Sequence, residues 1–181
     1  MKITELSLPG VWLIESKIYS DSRGTFMEAY NERELVGTPL EGVRFVQDNL
    51  SCSRRGTLRG MHTQRAPYGQ SKLVRCLSGR LIDFVLDIIP ESPTYGQAIS
   101  VELTPTNGRA LFIPSHYAHG FLSLEEETRL YYKVDRFYHP ESEVGYSYRH
   151  PAILRIVEEH ISPDELILSD KDAQSPLLPT I

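Results

Sequence analysis

Cysteine is nearly absent: Cys52 and Cys76 are the only two among 181 residues. That excludes a disulfide framework and a thiolate zinc site. No apolar run approaches the roughly 18 residues that a membrane-spanning helix needs. The stretch Met1 to Gly10 lacks the apolar centre of a secretory signal. Internal repeats, low-complexity tracts and linkers are also missing. With 40% hydrophobic and 24% charged residues, and 12 Gly and 12 Pro spread along the length, collagen, disorder and coiled coil are excluded. The chain reads as one cytoplasmic domain, 1–181, long enough to bury a sizeable core.

Acidic residues are missing from one long stretch. Between Asn49 and Ile82 there is no Asp or Glu, while Arg54, Arg55, Arg59, Arg65, Lys72, Arg75 and Arg80 give it a charge of +7. The net charge of −5 leaves −12 for the remainder. A cationic segment inside an acidic protein points to a local anion site, not to a nucleic-acid-binding face or a membrane surface. Arg outnumbers Lys 14 to 5, and the planar guanidinium suits phosphate. On charge alone, pairing of these arginines with surface acids explains them equally well.

Most of the chain reads as short strands rich in Val, Ile, Leu, Phe and Tyr, separated by Gly, Pro, Ser or Asn. Examples are Val11–Glu15, Val43–Asn49, Thr57–His62, Lys72–Leu77, Arg80–Ile88, Ile99–Leu103, Ala110–Ile113, Gly120–Leu124 and Arg129–Asp135. Gly79 and Thr106-Asn107-Gly108 read as tight hairpins. Helical signals are confined to the ends: Asn31 can cap one turn, and Ser162-Pro-Asp-Glu165 forms a capping-box pattern. Evenly spaced strands of this kind predict an antiparallel sandwich or barrel.

A small β domain with histidines invites a metal reading. Gly60-Met-His62-Thr-Gln64 offers Gln64 where a second imidazole would serve, with no Glu before Glu91. Pro114-Ser-His116-Tyr-Ala-His119 adds imidazoles without a carboxylate, and such a set holds a metal poorly. Acid–base chemistry is the remaining option, and His62, His119, Lys72, Tyr132, Tyr138 and several Asp are eligible. His62 stands out because it lies on a predicted strand inside the acid-free segment. His139, His150 and His160 suit structural positions.

Several motifs occur in a fixed order. They are Asp21-Ser-Arg-Gly24, Phe45-Val-Gln-Asp-Asn49, Leu58-Arg-Gly-Met-His62, Lys72-Leu-Val-Arg-Cys76, Ser92-Pro-Thr-Tyr-Gly96, Ala118-His-Gly-Phe121, Tyr132-Lys133 and Tyr138-His-Pro-Glu141. Together, from about residue 7 to Leu178, the chain resembles the dTDP-4-dehydrorhamnose 3,5-epimerase family.

That resemblance implies an all-β, cupin-like antiparallel barrel (jelly roll) with short helical segments at the termini. It implies a homodimer without metal or cofactor, and inversion of centres flanking the ketone of a dTDP-4-keto-6-deoxyhexose. By motif match, His62 is the base, Asp172 orients it, Tyr132 is the opposite-face acid and Lys72 stands near the ketone oxygen. Arg23, Glu28, Gln47, Asp48, Asn49, Arg59, His119, Glu143 and Lys171 match substrate-holding positions, and Tyr138 the aromatic that stacks on thymine.

Strand alternation puts Tyr132 on the face opposite Tyr131 and Lys133, and puts Lys72, Val74 and Cys76 together. It also puts Arg59 opposite His62 unless Gly60 marks a bulge. Asp172 has a rival reading as the cap of a terminal turn. The chain departs from the family pattern at Leu50, at His116 and in Tyr146-Ser-Tyr-Arg-His-Pro151. Alternatives to a two-centre epimerase are inversion of a single centre or action on a related nucleotide sugar. A non-catalytic sugar-nucleotide-binding barrel and a metal-dependent oxygenase are the others.

Overall fold

Residues 1–180 are described by a computed structural model. The strands, in chain order, are β1 (Lys2–Glu5), β2 (Trp12–Glu15), β3 (Ile18–Asp21), β4 (Gly24–Met27), β5 (Gln47–Ser53), β6 (Leu58–Gln64) and β7 (Lys72–Ser78). They continue with β8 (Leu81–Leu86), β9 (Ala98–Leu103), β10 (Arg109–Ile113), β11 (Ala118–Ser123), β12 (Thr128–Val134) and β13 (Glu143–Gly145). Two α-helices follow, α1 (Pro151–Glu158) and α2 (Asp170–Ala173).

Two antiparallel sheets dominate. The first runs β1-β2-β10-β7-β12-β5 and the second β13-β6-β11-β8-β9, with β3 and β4 forming a separate hairpin. The fold is therefore mostly β with few helices, as expected. The expected barrel needs correction: among the described residues no ladder joins the two sheets, so both stay open. The turns at Gly79 and Gly108 also differ from expectation. Each carries positive φ, 72° and 68°, but each links a strand of one sheet to a strand of the other. Neither closes a hairpin.

The centre of the second sheet is covered on both faces, so β8 reads as a nearly continuous apolar run without alternation. All six residues of β8 and all six of β11 are buried. Leu81, Val85 and Phe121 meet Val74, Cys76, Leu111 and Leu130 of the first sheet. Ile82, Phe84, Leu86 and Leu122 face outward onto Ile153, Ile156 and Val157 of α1. Each such fully buried side chain contributes about 1.5–3 kcal/mol.

α1 was not foreseen, although Pro151 at its first turn and the i, i+3, i+4 spacing of its buried residues carry the signal. Asn31 caps its 3-10 turn as expected, its side chain accepting from the Arg33 amide. Ser162 makes no such bond, and only a 3-10 turn, Pro163–Glu165, follows it. No helix among the described residues is long and apolar enough to cross a membrane.

Candidate active site

Between the sheets opens a cleft of about 600 Å³. The second sheet contributes Arg59 and His62 from β6 and His119 from β11; the first contributes Lys72 from β7 and Tyr132 from β12. Tyr138 and Glu143 arrive on the segment after β12, and Asp172 on α2.

A bulge at Gly60 lets Arg59 and His62 share the cleft. His62 pairs with His119 and Arg59 with Phe121, so β6 carries one residue more than β11 over this interval. The bulge requires glycine, because Gly60 has φ 115° and a Cβ there would sit 2.6 Å from the Gly120 Cα. Arg59 donates through Nε to Ser53 Oγ at 3.2 Å.

His62 Nε2 lies 2.5 Å from Asp172 Oδ1. Burial pushes the Asp172 carboxyl up. The bond to and charge of His62, with contacts from Ser169 and the Gly60 amide, outweigh it and hold the carboxyl below the ordinary range. An ionised carboxylate only accepts, so Nε2 of His62 donates, and in the neutral ring the lone pair is then on Nδ1. The side chain of Asp172 is almost fully buried, whereas that of His62 remains 28% exposed and open to the cleft. Ser169 caps the start of α2, its Oγ accepting from the Asp172 amide at 3.1 Å.

Around the dyad, burial sets the protonation of each neighbour. It draws Lys72 down to about 8, against the opposing pull of Asp83 and Glu143. It lowers His119 despite the Asp83 carboxylate, whose two oxygens lie 3.0 and 2.9 Å from its Nε2. Tyr132 is raised by burial and by the charge of Glu143, so its phenol keeps its proton at neutral pH. At the rim, Glu143 accepts from Tyr138 Oη at 2.7 Å and from Lys171 Nζ at 2.5 Å. Burial pushes Glu143 up, but these two donors hold it below its usual range.

Not every anticipated residue joins this cluster. Gln47 and Asn49 lie on the inward face of β5 and bond to each other at 2.9 Å; Gln47 also accepts from the Tyr138 amide at 3.2 Å. Asp48 points to the opposite face, where it accepts from Tyr131 Oη and Lys133 Nζ at 2.8 and 2.7 Å. Arg23 and Glu28 lie outside the cleft, paired with Asp21 and Asn31. Asp83 was missed, although an acid within the apolar run Leu81–Leu86 is itself a signal. Gln64 was missed as a site residue too; its amide accepts from the His139 amide and donates to the Tyr68 carbonyl. His139 stacks on Tyr68, with ring centroids 3.8 Å apart.

The family model described as dTDP-4-dehydrorhamnose 3,5-epimerase matches residues 5–180. The chain is 42% identical to the dTDP-4-dehydrorhamnose 3,5-epimerase of Salmonella typhimurium, over 98% of this chain and 96% of that one. The crystal structure of the Elizabethkingia anophelis enzyme of the same name superposes with a TM-score of 0.87 at 38% identity, covering 98% and 96% of the two chains. The dTDP-6-deoxy-D-glucose-3,5-epimerase of Legionella pneumophila, solved in complex with dTDP-4-keto-L-rhamnose, gives a TM-score of 0.86 at 38% identity, with 98% and 92% covered. This chain belongs to the dTDP-4-dehydrorhamnose 3,5-epimerase family.

Proposed function

We propose that this protein is an isomerase that inverts C3 and C5, the centres flanking the ketone of a dTDP-4-keto-6-deoxyhexose. The observation that carries the mechanism is the placement of His62 and Tyr132 on opposite sheets, facing one cleft. A sugar ring lying between them meets a base on one face and a phenol on the other.

In this reading, Nδ1 of His62 removes the proton from the carbon next to the ketone, and the electron pair moves onto the C4 oxygen. The Lys72 ammonium stabilises that oxyanion, with His119 beside it, in a cleft where water screens poorly. Asp172 fixes the tautomer of His62 and stabilises the imidazolium. Tyr132 returns a proton to the carbon from the other face, which inverts the centre. One event at C5 and one at C3 complete the conversion; between them the imidazolium gives its proton to solvent and the phenolate takes one back, which restores base and acid. No metal or cofactor enters this reading, because each proton transfer has a side chain assigned to it.

Arg59 suits the diphosphate and Tyr138 the thymine ring, on which an aromatic side chain stacks. Glu143, Lys171, Gln47 and Asn49 line the approach. We place Arg23 and Glu28 in the same role through a homodimer, in which the exposed β3–β4 hairpin reaches a second copy. That is supported by the exposure of the large apolar side chains Tyr19 and Phe26 on the hairpin and of Leu50 and Leu77 on the first sheet. We further read 1–181 as one cytoplasmic domain.

Strand order supports a cupin-type jelly roll. Of the eight strands β5 to β12, the first, eighth, third and sixth are neighbours in one sheet, and the second, seventh, fourth and fifth in the other.

The test is direct. Purified protein is incubated with dTDP-4-keto-6-deoxy-D-glucose, and the ring proton couplings of the product are read by NMR. Inversion at both C3 and C5 is expected; recovery of unchanged sugar would overturn the proposal.

A further inference from the structure

The carboxylate beside His62 arrives on a tail with little regular structure: past Leu168, α2 is the only element among the described residues. Contacts on either side of α2 hold this tail in place. Before it, Ile167 bridges Thr57, its amide donating to the Gly56 carbonyl at 2.9 Å and its carbonyl accepting from the Leu58 amide at 3.1 Å. After it, the Ser147 amide donates to the Pro176 carbonyl at 2.7 Å, and Leu178 is buried in the cluster formed with α1. The last anchor is Tyr95, whose Oη donates to the Pro179 carbonyl at 2.6 Å.

Tyr95 belongs to Ser92-Pro-Thr-Tyr-Gly96, a motif that places no residue in the cleft. Its polar groups gather on Asp87 instead, which is fully buried. Ser92 Oγ and Thr94 Oγ1 donate to Asp87 Oδ2 at 2.5 and 2.6 Å, and the Ile89 amide to Oδ1 at 2.9 Å. The Gly96 amide donates to the Asp87 carbonyl at 2.9 Å. A buried carboxylate satisfied by three donors is costly to rearrange. It therefore fixes the loop between β8 and β9 with the Tyr95 ring against the α1 cluster and its hydroxyl at the tail.

We propose that Tyr95 is a positioning residue for the epimerisation, clamping the C-terminal tail so that Asp172 stays aligned with His62. The inference rests on the role proposed for Asp172. It gives the Ser92–Gly96 motif a function at a distance from the chemistry, through contacts from Asp87 to Tyr95 and from Tyr95 to Pro179, and from there back along the chain, past the anchors at Leu178 and Pro176, to α2.

The experiment compares Tyr95→Phe, Asp172→Asn and the double variant with the unaltered protein. Tyr95→Phe keeps the ring and removes one hydrogen bond, so the fold is retained. Its kcat is expected to fall roughly two- to ten-fold, the worth of one such bond, with KM changing less than about two-fold. Amide exchange should rise at Ala173, Gln174 and Ser175 and stay unchanged along β8. In the Asp172→Asn background, Tyr95→Phe should cost no further kcat, because the group it positions is already gone.

Unchanged kcat and exchange in Tyr95→Phe would overturn the proposal. So would an equal fold-loss in both backgrounds, which would mean that Tyr95 acts by another route. Full activity of Asp172→Asn would instead overturn the role of Asp172 itself, a result distinct from failure of the clamp.

Discussion

His62 and Asp172 stand 110 residues apart in sequence, yet Nε2 of the one lies 2.5 Å from Oδ1 of the other. The carboxylate is buried and held below the ordinary carboxylate range, and its bond to Nε2 leaves Nδ1 of His62 for the cleft. Because its pKa is depressed, the stabilisation it provides is complete above the ordinary carboxylate range. It is lost only as pH falls through the lowered native value.

Replacing Asp172 by Asn tests this orientation. An amide can donate to Nε2, which would leave the ring proton on Nδ1 and no lone pair toward the sugar. Turnover should fall by roughly 10²–10⁴, with dTDP affinity by calorimetry within a few-fold of the unaltered protein. His62→Ala should lose at least as much and also keep its affinity. Near-normal turnover in either would contradict the dyad.

Tyr132→Phe separates proton removal from proton return. The phenol is protonated at neutral pH, so its loss removes the donor and leaves the base intact. Epimerisation should slow roughly 10²-fold or more, while exchange of the sugar proton with solvent slows less. NMR in D₂O follows both, and equal loss would mean that Tyr132 is not the opposite-face acid.

In the proposed mechanism Lys72 sets the alkaline limit. Burial lowers its pKa to about 8, so the ammonium proposed to support the oxyanion is lost as pH rises through that value. A plot of kcat/KM should fall above about pH 8. The same shift has a stability consequence of opposite sense. A native pKa below the unfolded one means that the charged form costs stability at neutral pH, and that this cost is relieved as pH rises from about 8 toward 10.5. Lys72→Met should therefore be nearly inactive yet more stable at pH 7, by roughly 1–3 kcal/mol, with a smaller gain at higher pH. Denaturant titration measures it; a less stable variant would contradict the account.

Eight of the nine strands expected from sequence form close to their expected positions, because apolar β-branched and aromatic runs between turn residues are a local signal; the ninth, expected over Val43–Asn49, is displaced to Gln47–Ser53. Partnership is not local. A glycine with positive φ serves a hairpin and a sheet-to-sheet corner alike, so Gly79 and Gly108 were legible as turns but not as crossovers. Alternation separated Tyr132 from Tyr131 correctly, and in β5 it would also have set Asp48 apart from Gln47 and Asn49. Arg59 and His62 could be reconciled only by the bulge that Gly60 permits.

Asp172 is not the cap of the terminal turn: Ser169 is, its Oγ accepting from the Asp172 amide, and the Asp172 carboxylate is left to pair with His62. The His119–Asp83 pair was half legible: an acid inside an apolar strand demands a partner, but sequence does not say which strand supplies it.

The most direct test of the central claim is mass spectrometry of dTDP-4-keto-6-deoxy-D-glucose incubated with the protein in D₂O. Abstraction and return of a proton at both centres predicts two protein-dependent deuteriums per sugar, both lost when His62 is replaced by Ala. A single deuterium would restrict the reaction to one centre, and no incorporation would contradict the proposed chemistry altogether.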